Sequence, residues 1–345
     1  MSISIGRRVS KWFVMVGSVL ALWGLAPGAL AVDGASSVYL LGKRGPLAAF
    51  VPKPGWYLTN DVYFYDAGTG EVLPLGDLLV AEADAQALIN IAQFTWVSQW
   101  SVGGGRLGFS GVLPFGNLEV DAAGIVTGST GAPLDVGLSD SVTGFGDPAV
   151  GAALGWKRRT GDKFRAWSTY GSVFIPVGDY ELGRIANLGK NRWAVDVGGA
   201  FTMANFKRGR ELSSVLGFTF NGDNEDTDYS SGTEMHLELA GKQHLKKGWS
   251  GGLVGYWYEQ LTGDSNNPEL LGDFQGRVFA IGPEISKQFT ANKKHPVTLD
   301  VRWYHEFDAK NRMEGDSVFL TVSVPLHNPP PREAKTDWSK DQNVE

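Results

Sequence analysis

The sequence predicts an all-β chain: an antiparallel transmembrane β-barrel of about 12 strands, of the outer-membrane type. Three observations predict it. Side chains alternate with a period of two over most of residues 55–326. The connections alternate between short and long. After the N-terminus, no stretch reaches the ~18 apolar residues that read as a membrane helix. Without such a helix, a chain crosses lipid only as a closed barrel. Hydrocarbon offers backbone N–H and C=O groups no partner, and each unpaired group costs about 4–8 kcal/mol.

Residues 1–31 read as a secretory signal peptide. Arg7, Arg8 and Lys11 are followed by a mostly apolar stretch from Trp12 to Ala26, and Ala29-Leu30-Ala31 is a small-x-small cleavage site. Cleavage near Ala31 is therefore expected, with the outer membrane of a Gram-negative cell as the destination. Residues 32–54 form an N-terminal extension containing Gly, Pro and Lys, and a lumenal plug is one reading of it.

Twelve strands are expected at 55–65, 86–100, 106–120, 146–157, 163–177, 192–206, 211–220, 233–244, 249–261, 274–288, 295–307 and 315–326. In 192–204, Trp193, Val195, Val197, Phe201 and Met203 share one side, while Arg192, Asp196 and small residues share the other. In 297–307, Val297, Leu299, Val301, Trp303 and Phe307 oppose Thr298, Asp300, Arg302, Tyr304 and Glu306. A sandwich also alternates, but its polar face meets water and is expected to carry more Lys and Glu. A face rich in Gly, Ala, Ser and Thr suits a lumen. Residues 327–345 read as a polar periplasmic tail.

The connections at 101–105, 158–162, 207–210, 245–248 and 290–294 are short. Those at 66–85, 121–145, 178–191, 221–232 and 262–273 are long, and only the last connection on that side, Asp308–Glu314, is brief. Short periplasmic turns and long external loops are the barrel pattern. Charge sorts the same way. Arg158, Arg159, Lys207, Arg208, Lys246 and Lys247 lie in short turns, whereas Asp179, Glu181, Asp223, Glu225, Asp226 and Asp264 lie in long loops. Trp56, Trp100, Trp156, Trp193, Trp249 and Trp257 near strand ends suggest interfacial girdles.

The chain has 31 Lys+Arg and 37 Asp+Glu; removing the leader's three basic residues leaves 28 against 37, a net charge of −9. That argues against a nucleic-acid partner. The absence of Cys removes disulfides and thiolate chemistry. None of the five His forms a zinc-binding helical pair, and no nucleophile-elbow motif is present. No catalytic residues, metal ligands or cofactors are therefore expected.

Six stretches carry a family resemblance: Gly144-Phe145-Gly146-Asp147-Pro148, Ile175-Pro176-Val177-Gly178-Asp179-Tyr180, Asn187 to Trp193, Tyr256 to Asp264 including Gln260, Ile281-Gly282-Pro283-Glu284, and His305 to Arg312. In this order they resemble the bacterial outer-membrane transporter family named for the phenol meta-pathway. The resemblance implies an outer-membrane barrel linked to uptake of hydrophobic or aromatic molecules. It implies no active site. Its expected partners are a small solute, outer-membrane lipid and the barrel-assembly machinery.

Parity places Arg192, Asp196, Glu234, His236, Glu238, Asp300, Arg302 and Glu306 on the lumen face. A charge facing lipid at mid-depth costs about 2–4 kcal/mol, so these side chains are pushed inward. A constriction or binding site with charges of both signs is the expectation. Its alternative is a structural or surface-interaction barrel whose acidic loops, such as 223–228, bind calcium.

Overall fold

The computed structural model describes residues 37–69, 73–75, 78–127, 133–265, 274–290 and 296–327. The expected leader and the tail after 327 lie outside the described residues.

The described chain is almost entirely strand. In order these are β1 (Gly55–Thr69), β2 (Leu73–Leu75), β3 (Leu78–Val102), β4 (Gly105–Thr127), β5 (Pro133–Phe145), β6 (Ala149–Thr160), β7 (Lys163–Phe174) and β8 (Ala194–Asn205). They continue with β9 (Arg210–Asn221), β10 (Asp223–Asn224), β11 (Tyr229–Ser230), β12 (Glu234–His244), β13 (Trp249–Gln260), β14 (Arg277–Thr290), β15 (Pro296–Lys310) and β16 (Glu314–His327). Every ladder is antiparallel. β1 pairs with both β16 and β3, and β3 pairs with β4, so the sheet closes. Of its members, β2 is a short arm and β5 with β6 forms one interrupted stave, leaving a barrel of 12 staves.

Two regions expected to be loops are strands. β1 and β3 run to Thr69 and from Leu78, and β4 and β5 run to Thr127 and from Pro133. The reason is that alternation continues there with small side chains. Ala67, Ala83, Ala85, Val120 and Ala122 turn inward and are buried, whereas Asp66, Asp84, Glu119 and Asp121 point out and are exposed. Charge on the outward face marks these stretches as lying beyond the lipid belt, while the ladder continues.

Within the belt the outward side is apolar. Phe94, Leu113, Val150, Leu216, Phe220, Leu253, Ile281, Ile285, Val301 and Leu320 are exposed, as lipid contact requires. Trp56, Trp100 and Trp249 flank the short-turn end, and Trp193 the long-loop end. In the turn joining β3 to β4, Gly103 and Gly104 have φ of 56° and 76°. Two consecutive positive φ values favour Gly in a two-residue hairpin turn.

Candidate functional site

The lumen gathers the charged residues. Arg192, Asp196, Glu234, His236, Glu238, Arg302 and Glu306 are buried, and Asp300 is half-buried. Asp196 and Glu234 both register with Thr219 of β9. Glu238, Tyr256, Ala280 and Glu306 fall in one row across four strands. Two clusters result. In the first, His236 Nε2 lies 3.0 Å from Asp196 Oδ1, and His236 Nδ1 lies 3.9 Å from Glu238. In the second, Arg302 meets Asp300 at 2.8 Å and Asp61 at 3.7 Å, while Lys242 meets Glu284 at 2.7 Å. Arg192 Nε donates to Asn221 Oδ1, and Glu306 accepts from Tyr65 and Tyr256. The eight residues thus form several networks along the wall rather than one ring.

Residues 37–54 lie inside the barrel against these networks. Ser37 bonds Glu234, Tyr39 bonds Glu238, and Lys43 pairs with Asp61. The Arg44 amide donates to Glu238 at 2.9 Å, and the Leu47 amide to Glu211 at 2.7 Å. In return, Arg302 Nη1 donates to the Gly42 carbonyl at 2.6 Å, and Arg106 to the Pro52 carbonyl at 3.0 Å. The Arg44 guanidinium lies 3.6 Å from the centroid of the Tyr170 ring. A segment with no secondary structure of its own has exposed backbone groups, and here the wall's side chains satisfy several of them. Gly42 has φ +76°, and a Cβ there would come within 2.8 Å of the Tyr304 ring. Both the backbone conformation and the close approach require Gly.

Beside the segment is a cavity of about 760 Å³. Its far wall is mostly apolar or small: Ile89, Ile91 and Val97 from β3, Val112 from β4, Ala153 from β6 and Phe174 from β7. Its other side carries Lys43, Asp61, Lys242, Asp300 and Arg302. The segment lies against part of the charged wall, and the space beside it meets apolar side chains of β3, β4, β6 and β7 together with Gln93, Asp147, Lys190 and the charged groups just named. The volume lies within the ~300–1,000 Å³ usual for small-molecule sites.

Asp61, Glu211, Lys242, Glu284 and Tyr170 belong to this site although the sequence reading did not select them. The parity that found Arg302 also reaches Asp61, which alternates with Leu58, Asn60 and Val62 along β1. Tyr39, Lys43 and Arg44 have no periodic signal, because the segment carrying them is not a strand.

The motif positions do other work. Asp147 accepts the Gly178 amide at 2.9 Å and the Lys190 amide at 2.6 Å, tying residues 175–190 across the gap between β5 and β6. Gly146 donates to the Pro114 carbonyl, and the Pro148 carbonyl accepts the Ile175 amide, so Pro148 and Pro176 bracket the strand ends. The Tyr180 hydroxyl accepts from Asn224, and Gln260 accepts the Gly276 amide. At Gly282, a Cβ would come within 1.8 Å of the Trp303 carbonyl; Pro283, which lacks an N–H, is next in β14. These residues shape backbone irregularities outside the charged networks. Lys190 is half-buried, and the loss of hydration pushes its amine down to about 8. Arg184 hydrogen-bonds Asp140 and holds that carboxyl below its usual range.

In the acidic 223–228 loop, Asp226 accepts from Asn191 at 2.8 Å. Among the described residues, no group of three or more His, Asp or Glu converges as a metal site. His305 lies outward and exposed, 3.0 Å from Asp316.

A closed 12-stave barrel with an apolar outer belt and a charged, partly filled lumen defines a membrane barrel of the outer-membrane class. The chain matches the family described as "Putative MetA-pathway of phenol degradation" over residues 64–322, and it belongs to that family. Among solved structures it is similar to an outer membrane channel from Pseudomonas putida F1, with 18% identity, a TM-score of 0.59, and coverage of 83% of this chain and 99% of that one. A Pseudomonas aeruginosa FadL homologue, with 9% identity, a TM-score of 0.37, and coverage of 87% of this chain and 98% of that one, overlays too loosely to add to the fold assignment. No curated protein matches the chain.

Proposed function

We propose that the protein is an outer-membrane channel that passes small molecules of hydrophobic or aromatic character, with residues 37–54 narrowing its lumen as a plug. One observation supports this above the others: the segment binds part of the charged wall and leaves a cavity of about 760 Å³ whose side along β3, β4, β6 and β7 is mostly apolar or small. Bare paired charges would attract ions and water; here much of that charge is covered by the segment. An apolar solute meets Ile89, Ile91, Val112 and Phe174 instead. Twelve staves lie between the ~8 that leave a filled interior and the ~16–18 that leave a wide aqueous channel, so a narrow route fits the barrel's size. Arg302, Asp300, Asp61 and Lys242 act as the constriction's polar side, orienting a hydroxyl or other polar end of the solute. The barrel is inserted by the assembly machinery and is surrounded by outer-membrane lipid.

Liposome swelling tests this. Vesicles containing the protein should admit a small neutral aromatic solute faster than a sugar of similar mass. Equal rates for both would remove the apolar-route reading, and swelling no faster than protein-free vesicles would remove transport itself.

A further inference from the structure

The outer face of the β6–β7 hairpin carries a charge arrangement that the lumen does not use. Arg158 and Arg165 stand directly opposite each other in the ladder. Two residues deeper on the same face, Trp156 and Trp167 are also partners, their rings stacked at 6.4 Å and 13°. Directly opposed positions hold their Cβ atoms about 4.5–5.5 Å apart, and like charges there repel. Both arginines are exposed, and neither has an ion-pair partner among the described residues. Two other cations at this end of the barrel have partners. Arg159 donates to the Gly161 carbonyl at 3.1 Å and lies 4.7 Å over Phe206, while Lys287 donates to the Lys247 carbonyl and lies 4.9 Å over Trp249.

We propose that Arg158 and Arg165 hold the phosphate of an anionic lipid headgroup in the leaflet at the short-turn end. The tryptophan pair sets the depth, because indole rings settle at the headgroup level. Leu154, half-buried two residues deeper on the same face of β6, and the 42% exposed ring of Trp167 offer apolar surface for the acyl chains. Two guanidinium forks beside one phosphodiester replace a repulsion with charge-assisted hydrogen bonds.

The test is the denaturant midpoint of the full chain in phosphatidylcholine vesicles, with and without phosphatidylglycerol. Heat-modifiable migration on a gel confirms that each sample is folded. The wild-type midpoint should rise as phosphatidylglycerol is added. The Arg158→Gln/Arg165→Gln double variant should match or exceed wild type in pure phosphatidylcholine and lose most of the rise. An equal rise in the variant would overturn the site. A full rise with inorganic phosphate alone, in phosphatidylcholine vesicles, would also overturn it, because it would show a general anion effect rather than a lipid one. If the variant fails to fold, Arg158→Lys/Arg165→Lys keeps the charge but loses the forked geometry; it should retain part of the rise, and no rise in wild type would overturn the proposal.

Discussion

Tyr39 stacks on His236 with ring centroids 3.7 Å apart and planes 17° from parallel. The contact joins the N-terminal segment to the wall at the point where Asp196, His236 and Glu238 meet. Tyr39 also bonds Glu238, so one side chain closes a network that the strands alone leave open. Aromatic pairs are worth about 0.5–1.5 kcal/mol beyond area burial. The predicted effect of Tyr39→Ala is looser anchoring of the segment, read as increased proteolytic cleavage within residues 37–54 of the folded barrel.

Arg302 is the second anchor. It donates to the Gly42 carbonyl at 2.6 Å and faces both Asp61 and Asp300. Removing one partner of a buried ion network costs about 3–5 kcal/mol, because the remaining charges are left uncompensated. Arg302→Ala should therefore lower barrel stability and free the segment, raising solute uptake in swelling assays. Unchanged uptake would separate Arg302 from the passage.

The apolar cavity predicts a substitution with the opposite effect. Ala153 lines it from β6. Ala153→Phe should fill part of the space and slow uptake of aromatic solutes several-fold, while the folded barrel keeps its heat-modifiable migration.

The belt predicts a depth-dependent cost. Leu216 sits at the middle of β9, 45% exposed on the outward face. Leu216→Arg should destabilise the barrel by about 2–4 kcal/mol in lipid vesicles, measured by equilibrium unfolding. The same change at Asp121, beyond the belt, should cost far less.

Acid should loosen the loop over 178–191. Arg184 lowers the Asp140 carboxyl below its unfolded value, so the contact adds stability above the ordinary carboxylate range. That stability fades as pH falls through the unfolded and then the folded value. The hydrogen-exchange protection factor at Ala186, whose amide donates to Asp140 at 3.1 Å, should fall under those conditions, measured against the intrinsic rate at each pH.

Much of the fold was legible because lipid enforces a strict rule. Any strand that crosses the belt must turn Val195, Phe201 or Leu253 outward and Asp196 or Thr202 inward, and period two records that directly. The two hairpin extensions were hidden because Asp66 to Ala85 and Asp121 to Phe145 are rich in Asp, Gly and Ala, which read locally as loop. Their ladders persist because the outward face there meets water rather than lipid. The same parity selected the charged residues as candidates for the inner face, but it carries no signal for their partners. Lys43 reaches Asp61 across a short segment, whereas Arg302 reaches Gly42 across 260 residues of chain, and no local pattern encodes either contact. The family motif residues were visible as strings without their purpose. Asp147 and Gly282 serve interruptions in the ladder, and such breaks are defined only once neighbouring strands are in place.

The proposed passage lies between the N-terminal segment and the wall of β3, β4, β6 and β7. Single-channel conductance of the full chain and of a form lacking residues 37–52 tests it most directly. A small conductance in the full chain and one several-fold larger in the shortened form are predicted. Equal conductance in both, or none in either, would contradict it.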